Sequence, residues 1–214
     1  MICLSAVYRQ DVAADEERHA RDPENRTWWR RMPRRLEAEA VRDAILQVSG
    51  RLRHDGFGKP SVKLPIPREA IISRLGEAYT PTASEGPLTW RRSIYTFRKR
   101  TVPVPFLQTF DAPGASDSCG QRVRTTVANQ ALFFMNDEFV RSRSEDFARR
   151  VMKSESPIQD AFLLALGRLP SDREDEEAAK FILDQQLLRA GDKKEAWTDF
   201  CQLLFGLNEF SYID

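Results

Sequence analysis

Residues 91–137 read RRSIYTFRKRTVPVPFLQTFDAPGASDSCGQRVRTTVANQALFFMND, and the fold turns on how this stretch is read. It opens on an alternating β-branched and aromatic run, SIYTFRK (93–99), whose period of two points to a strand or an extended segment. Pro103 and Pro105 then exclude a central strand, because proline cannot donate to a ladder. Phe106, Leu107 and Phe110 fit one helical turn with Pro105 in its first position, where the missing N–H costs nothing. A loop of small and polar residues around Cys119 follows, then a basic step at Arg122 and Arg124, then the start of a helix. The stretch is a junction. Irregular chain precedes it and well-punctuated helices follow.

Downstream, Asn136 or Asp137 is placed to cap a helix that turns Val140, Phe147 and Val151 inward. Ser156 and Pro157 open a second helix with Ile158, Ala161, Phe162 and Ala165 on its inner face, and Gly167 closes it. Ser171-Asp172-Arg173-Glu174 fits a capping box for a third, which buries Ala178, Phe181, Ile182 and Leu188 before Gly191-Asp192 breaks it. A last helix carries Trp197, Phe200, Leu203, Leu204 and Leu207. Short connections between such helices imply a small antiparallel bundle.

Upstream, residues 36–52 form the clearest amphipathic helix of the first half. Leu36, Ala40, Ala44, Ile45, Val48 and Leu52 share one stripe, while Glu37, Arg42, Asp43, Gln47 and Arg51 share the other. Gly50 sits near its end. Residues 53–90 are broken by prolines and glycines, with room for a short helix at 68–79. Their apolar residues (Phe57, Val62, Leu64, Ile66, Ile71, Ile72, Leu75, Tyr79) favour a packed excursion over a linker. Ile2, Leu4, Val7 and Tyr8 read like part of a core element, and of the adjacent Trp28 and Trp29 one is expected to anchor its segment. The expectation is a mainly α single domain over 1–214. An irregular, loop-rich N-terminal half (1–90) has one amphipathic helix and room for a short β-hairpin. The junction (91–137) and a small C-terminal helical bundle (138–214) complete it.

Bulk composition narrows the function classes. The 214 residues hold 33 basic and 32 acidic side chains, a balance unlike the basic excess of a general nucleic-acid binder. Cys3, Cys119 and Cys201 form no C-x-x-C, and there are only two histidines, so neither a zinc ribbon, a haem attachment nor a His-rich metal site is encoded. No cofactor is expected in this chain. No apolar run approaches the roughly 20 residues of a membrane span, and the N-terminus lacks the basic region of a signal peptide.

Candidate chemistry concentrates in the junction. Cys119 has Arg122 and Arg124 close behind, and nearby positive charge favours thiolate. The competing reading is a small buried structural thiol. Asp111, Asp117, Arg122, Arg124, Asn129, Gln130, Asn136 and Asp137 form a polar ring that would suit a sugar, a carboxylate or a cation. It would equally suit a network that satisfies loop backbone. Trp90, Arg91, Arg92, Tyr95, Phe97, Arg98, Lys99 and Arg100 interleave aromatics with basic groups, as does Trp28 to Arg35. Either set fits stacking on bases or sugars, or aromatics turned inward with basic residues outward. The acidic run at Asp160 and Glu174 to Glu177 reads as a solvated face.

Several motifs carry a family resemblance: YRQ, DPENRTWWRRMPRRLEAEAVRDAILQVSGRL, RRSIYTFRKRTVPVPFLQTFDAP, SCGQRVRTTVANQALFFMND, LGRLPSDRE and WTDFCQLLFGLNEFSYID. Together, and in this order, they resemble the planctomycete-type domain of unknown function DUF 1553, also called PSD1. Arg100, Pro103, Phe110 to Pro113, Cys119, Arg122, Thr125, Gln130 to Leu132, Asn136 and Asp137 match its signature core. Arg35, Glu39, Arg42 and Asp43 match its first-helix motif, and Gln121 stands where a basic residue is expected. The resemblance implies a C-terminal portion of a larger protein, preceded by another uncharacterised domain and often a c-type cytochrome domain. Those upstream domains would be its partners, and a periplasmic or extracytoplasmic location would follow. No activity comes with the family. Three functions are therefore weighed: a non-catalytic structural or binding module; a carbohydrate-active or other hydrolytic domain using Asp111, Asp117 or Asp43 with the arginines; and a redox accessory module presenting Cys119. Asp43, Arg100, Arg124, Gln130, Asn136 and Asp137 are the candidate binding residues.

Overall fold

A computed structural model describes residues 2–13, 15–54, 61–66, 84–116 and 118–213. The short helix expected at 68–79 lies outside these residues, as do Phe57, Ile71, Ile72, Leu75, Tyr79 and Asp117. The chain is mainly helical, with a loop-rich first half. Its first half holds α1 (Glu16–Arg21), β1 (Arg34–Arg35) and α2 (Ala38–Val48), and its junction holds α3 (Pro105–Thr109) and α4 (Ala128–Asn136). Then come α5 (Glu138–Val151), α6 (Pro157–Leu166), α7 (Asp172–Leu188), α8 (Lys193–Gly206), α9 (Asn208–Ser211) and β2 (Tyr212–Ile213). The small antiparallel sheet is not local. β1 pairs with β2 from the far end of the chain, Arg34 opposite Ile213 and Arg35 opposite Tyr212.

The helix boundaries follow local chemistry. Pro105 occupies the first turn of α3, and Asp137 caps α5 by accepting from the Phe139 N–H at 2.9 Å. Asn136 is not the cap. It is the exposed last residue of α4, a helix that begins earlier than the capping signals suggest. The capping box of α7 forms as expected between Ser171 and Glu174. Ser156 holds the N-cap position of α6 without a side-chain bond, and Gly167 ends that helix in the left-handed conformation at φ 74°. Gly50 ends α2 the same way, also at φ 74°.

One hydrophobic cluster runs from Ala38 to Phe210. α5 lies alongside α8, with α4 and α7 packed on α8 as well. Phe147 and Phe205 stack at 5.5 Å where α5 meets α8. Phenylalanines also fasten the junction. Phe106 and Phe110 of the α3 turn sit 5.0 Å and 5.6 Å from Phe133 of α4, and Phe134 lies 6.4 Å from Phe210.

Several expectations fail. SIYTFRK is not a strand. Ser93–Tyr95 form a 3-10 turn between isolated bridges at Arg91 and Thr96, because Ser93 is held by a side chain of α2 rather than by a neighbouring strand. Arg42, placed on the solvent stripe of α2, is buried, whereas Ala40 is exposed. No described residue before Arg35 is buried, so Ile2, Leu4, Val7 and Tyr8 are not core. Trp28 is exposed and Trp29 only half-buried, donating its indole N–H to the Asp22 carbonyl. Leu188 is exposed near the end of α7 and Leu203 on α8.

Candidate functional site

Asp111 is built into place by the end of α3. Its N–H donates to Gln108 O at 3.1 Å and the next, Ala112 N–H, to Leu107 O at 2.8 Å. That pair of bonds is the Schellman ending of a helix, and it puts Asp111 in the left-handed position at φ 60°, where glycine is usual. The side chain compensates. Its carboxylate accepts from Arg35 Nη2 at 2.6 Å, from Thr125 N–H at 2.7 Å and from Thr125 Oγ1 at 2.8 Å. The Arg35 guanidinium also reaches the Leu36 carbonyl and sits 5.5 Å above the Phe110 ring. Buried Gln130 completes the network by donating to Thr109 O at 3.0 Å and Thr125 O at 3.2 Å. Four segments are thus tied at one point: β1, the end of α3, the 120s loop and α4.

Arg122 belongs to an adjoining network. It donates to Glu39 Oε2 at 2.6 Å and lies 3.0 Å from Glu37 Oε2, with Arg98 3.8 Å from Glu39. Burial pushes the Glu39 carboxyl up, but the bond from Arg122, its own backbone and the charges of Arg122 and Arg98 outweigh it and hold it below the usual range. Between the two networks, Arg35, Glu37, Asp111 and Arg122 border a cavity of about 10 Å³. That is room for about one water molecule and no substrate.

Asp43 and Arg42 form a third group. Asp43 accepts from both the N–H and the hydroxyl of Ser93 at 2.7 Å. Arg42 donates to the Thr89 and Arg91 carbonyls and to Ser93 Oγ, so the chain at 89–93 wraps around one guanidinium. Burial pulls the Arg42 pKa down, against the charges of Glu85 and Asp43. On α5, Arg143 lies 3.1 Å from Asp146 and 3.6 Å from Glu85, and burial raises the Glu85 carboxyl.

The remaining candidates are peripheral. Cys119 is exposed, its thiol 3.3 Å from the Gln121 carbonyl. Cys201 is sealed in α8, and burial pushes its thiol far up. Arg100 donates to Ser116 Oγ at 3.0 Å. The capping carboxyl of Asp137 is raised by burial. Asn129 is exposed on α4. Among the described residues no group of three His, Cys, Asp or Glu gathers in a way that would hold a metal ion, and no helix is long and apolar enough to cross a membrane.

A family model described as "PSD1: Protein of unknown function (DUF1553)" matches residues 1–182. The chain belongs to this family. Comparison with curated proteins and with solved structures gives no match. The PSD1 match spans all three networks and ends within α7. Arg34, Arg35, Thr125 and Thr126 lie inside it, and Tyr212, which meets them across the β1–β2 pair, lies beyond it.

Sequence reasoning named Asp111, Gln130 and Arg122 but not their partners as a set. Arg35, Glu39, Arg42 and Asp43 stood together in the first-helix motif, and that motif is the half of each network that the junction binds. It passed over Thr126 and Tyr212, which border an open cleft with Arg34 and Arg124. It also passed over Arg168, which grips Glu174 and Glu209 with two bonds each and so ties the start of α7 to α9.

Proposed function

We propose that this PSD1 chain is a non-catalytic structural and binding module of a larger, exported protein. One observation carries the reading: the polar residues of the junction are committed to holding separate chain segments together. Asp111 joins β1 to the 120s loop, Gln130 joins α4 to the end of α3, Arg122 joins that loop to α2, and Asp43 joins α2 to the 89–93 chain. A hydrolytic site would call for two carboxylates facing one open pocket. Asp111 and Asp43 instead serve different networks, and the cavity beside Asp111 holds about one water.

Substitution of each residue in turn tests this. Residues kept for chemistry are commonly neutral or costly to stability, so removing them leaves the fold as stable or more so. Here Asp111→Ala, Arg122→Ala, Gln130→Ala and Asp43→Ala each lower the urea unfolding midpoint. If most of the four left it unchanged or raised it, the scaffold reading would fail.

A further inference from the structure

We infer that the cleft beside the β1–β2 pair binds an oxyanion, the carboxylate or phosphate end of a small molecule. The cleft has a volume of about 280 Å³, and Pro33, Arg34, Arg35, Arg124, Thr126 and Tyr212 stand on its border. Three arginines stand among the described lining residues and no carboxylate does. Arg35 is already neutralised by Asp111 at 2.6 Å. Arg34 is half exposed, with Glu37 no nearer than 3.8 Å. Arg124 is exposed and makes no hydrogen bond or ion pair among the described residues, unlike the neighbouring Arg122. Arg124 therefore borders the recess with no described partner, and Arg34 borders it with only the looser pair to Glu37 at 3.8 Å.

The hydroxyls add donors. Thr126 Oγ1 and Tyr212 OH lie 3.1 Å apart and share one hydrogen bond, which uses one proton and leaves the other free to donate into the cleft. A guanidinium offers its N–H groups in a planar fork matched to the oxygens of a carboxylate or phosphate. A second recess of about 360 Å³ continues from the same wall, sharing Pro33 and Tyr212 and adding Asn208 and Glu209. Glu209 there is held by Arg168, at 2.6 Å and 2.8 Å. The ligand's charged end sits between Arg34 and Arg124, and its uncharged body lies over Pro33 and Tyr212 towards Asn208. This inference rests on the binding half of the proposed function and names its ligand class.

The test is a titration of the whole chain with sodium phosphate and, separately, sodium succinate, against sodium chloride of matched ionic strength. Binding is followed by the NMR shifts of backbone amides and arginine Nε–H groups. Saturable shifts centred on Arg34, Arg124, Thr126 and Tyr212, with either anion and not with chloride, support the site. The tighter of the two identifies the end group. Arg124→Gln and Arg34→Gln each weaken binding about tenfold or more, the loss expected for a charge-assisted bond. Lys193→Gln, at the opposite end of α8 about 20 Å along the helix, binds as the wild type does. Arg124 supports no other described residue, so its variant is expected to fold, and Arg34→Gln provides a second reading. Non-saturating shifts equal to those in chloride, or wild-type binding by Arg124→Gln, would overturn the inference. Neither result touches the stability measurements on Asp111 and its partners, so the scaffold reading stands or falls separately.

Discussion

Asp111→Asn is the sharpest probe of the junction, because it removes a charge and almost nothing else. Asparagine tolerates the left-handed conformation at φ 60° as well as aspartate does. Its amide oxygen can keep the bonds from Arg35 Nη2 and Thr125 N–H, which now share Oδ2. Its amide nitrogen then faces Thr125 Oγ1, and that hydroxyl can rotate to accept. What remains is the loss of the counter-charge to a guanidinium whose side chain is only 5% exposed. Breaking a fully buried ion pair from one side costs about 3–5 kcal/mol. The Asp111 side chain is 18% exposed and the hydrogen bonds persist, so about 2–3 kcal/mol is expected here. For a chain of this length that lowers the melting temperature by about 4–12 °C. Asp111→Ala costs more, about 4–5 kcal/mol, because it also leaves the Thr125 N–H and Arg35 unanswered and puts a Cβ-only residue at positive φ. Urea denaturation at pH 7 measures both. A double-mutant cycle with Arg35→Met isolates the pair, and the combined loss should fall well short of the sum. An Asp111→Asn protein within about 0.5 kcal/mol of wild type would refute the argument, since surface changes that touch nothing fall in that range.

Other consequences follow from the same geometry. Arg42→Leu strands the Thr89 and Arg91 carbonyls, costs about 2–4 kcal/mol, and should open the 89–93 chain to protease before the rest unfolds; equal cleavage of wild type and variant would contradict this. Bonds from Arg168 and Ser171 hold the Glu174 carboxyl at about 2, well below its ordinary 4.5. The stability it contributes is present above pH 4.5 and fades as pH falls towards 2, so the gap in urea midpoint between wild type and Glu174→Gln should close over that window. A gap as wide at pH 2.5 as at pH 7 would count against it. Ala190 sits at φ 53° in the Schellman ending of α7, and Ala190→Gly should raise stability by about 0.5–1 kcal/mol by relieving that strain, read as a higher urea midpoint. A lower one would contradict the strain.

How much was legible depended on the range of the physics involved. Helix starts and stops are decided within a few residues, so Pro105, Asp137, the Ser171–Glu174 box, Gly167 and Gly50 could be read directly. The first residue of α4 could not be placed within the 125–137 stretch, because its N-cap Val127 makes no side-chain cap bond. The α2 stripe was displaced for a different reason. Amphipathic periodicity treats every arginine as a surface residue, yet Arg42 points into the protein because three acceptors from the 89–93 chain await it there. SIYTFRK has the period of a strand, but among the described residues it pairs only through isolated bridges, Thr96 with Val62 and Lys99 with Val102, and a side chain of α2 takes the Ser93 N–H.

By itself, the sequence determined the mainly helical class, the ends of most helices and the PSD1 membership. Those properties rest on interactions between near neighbours or on the order of motifs along the chain. Tertiary structure alone decided which residues meet. Arg35 finds Asp111 across 76 positions and Arg122 finds Glu39 across 83. Tyr212 joins Thr126 across 86 positions, at the edge of the cleft that Arg34 and Arg124 also border. Such meetings depend on how α3, α4 and α8 pack, and packing responds to the whole core at once. The signature stretch is therefore recognisable as a string, and what it does is to bind the first half of the chain to the second.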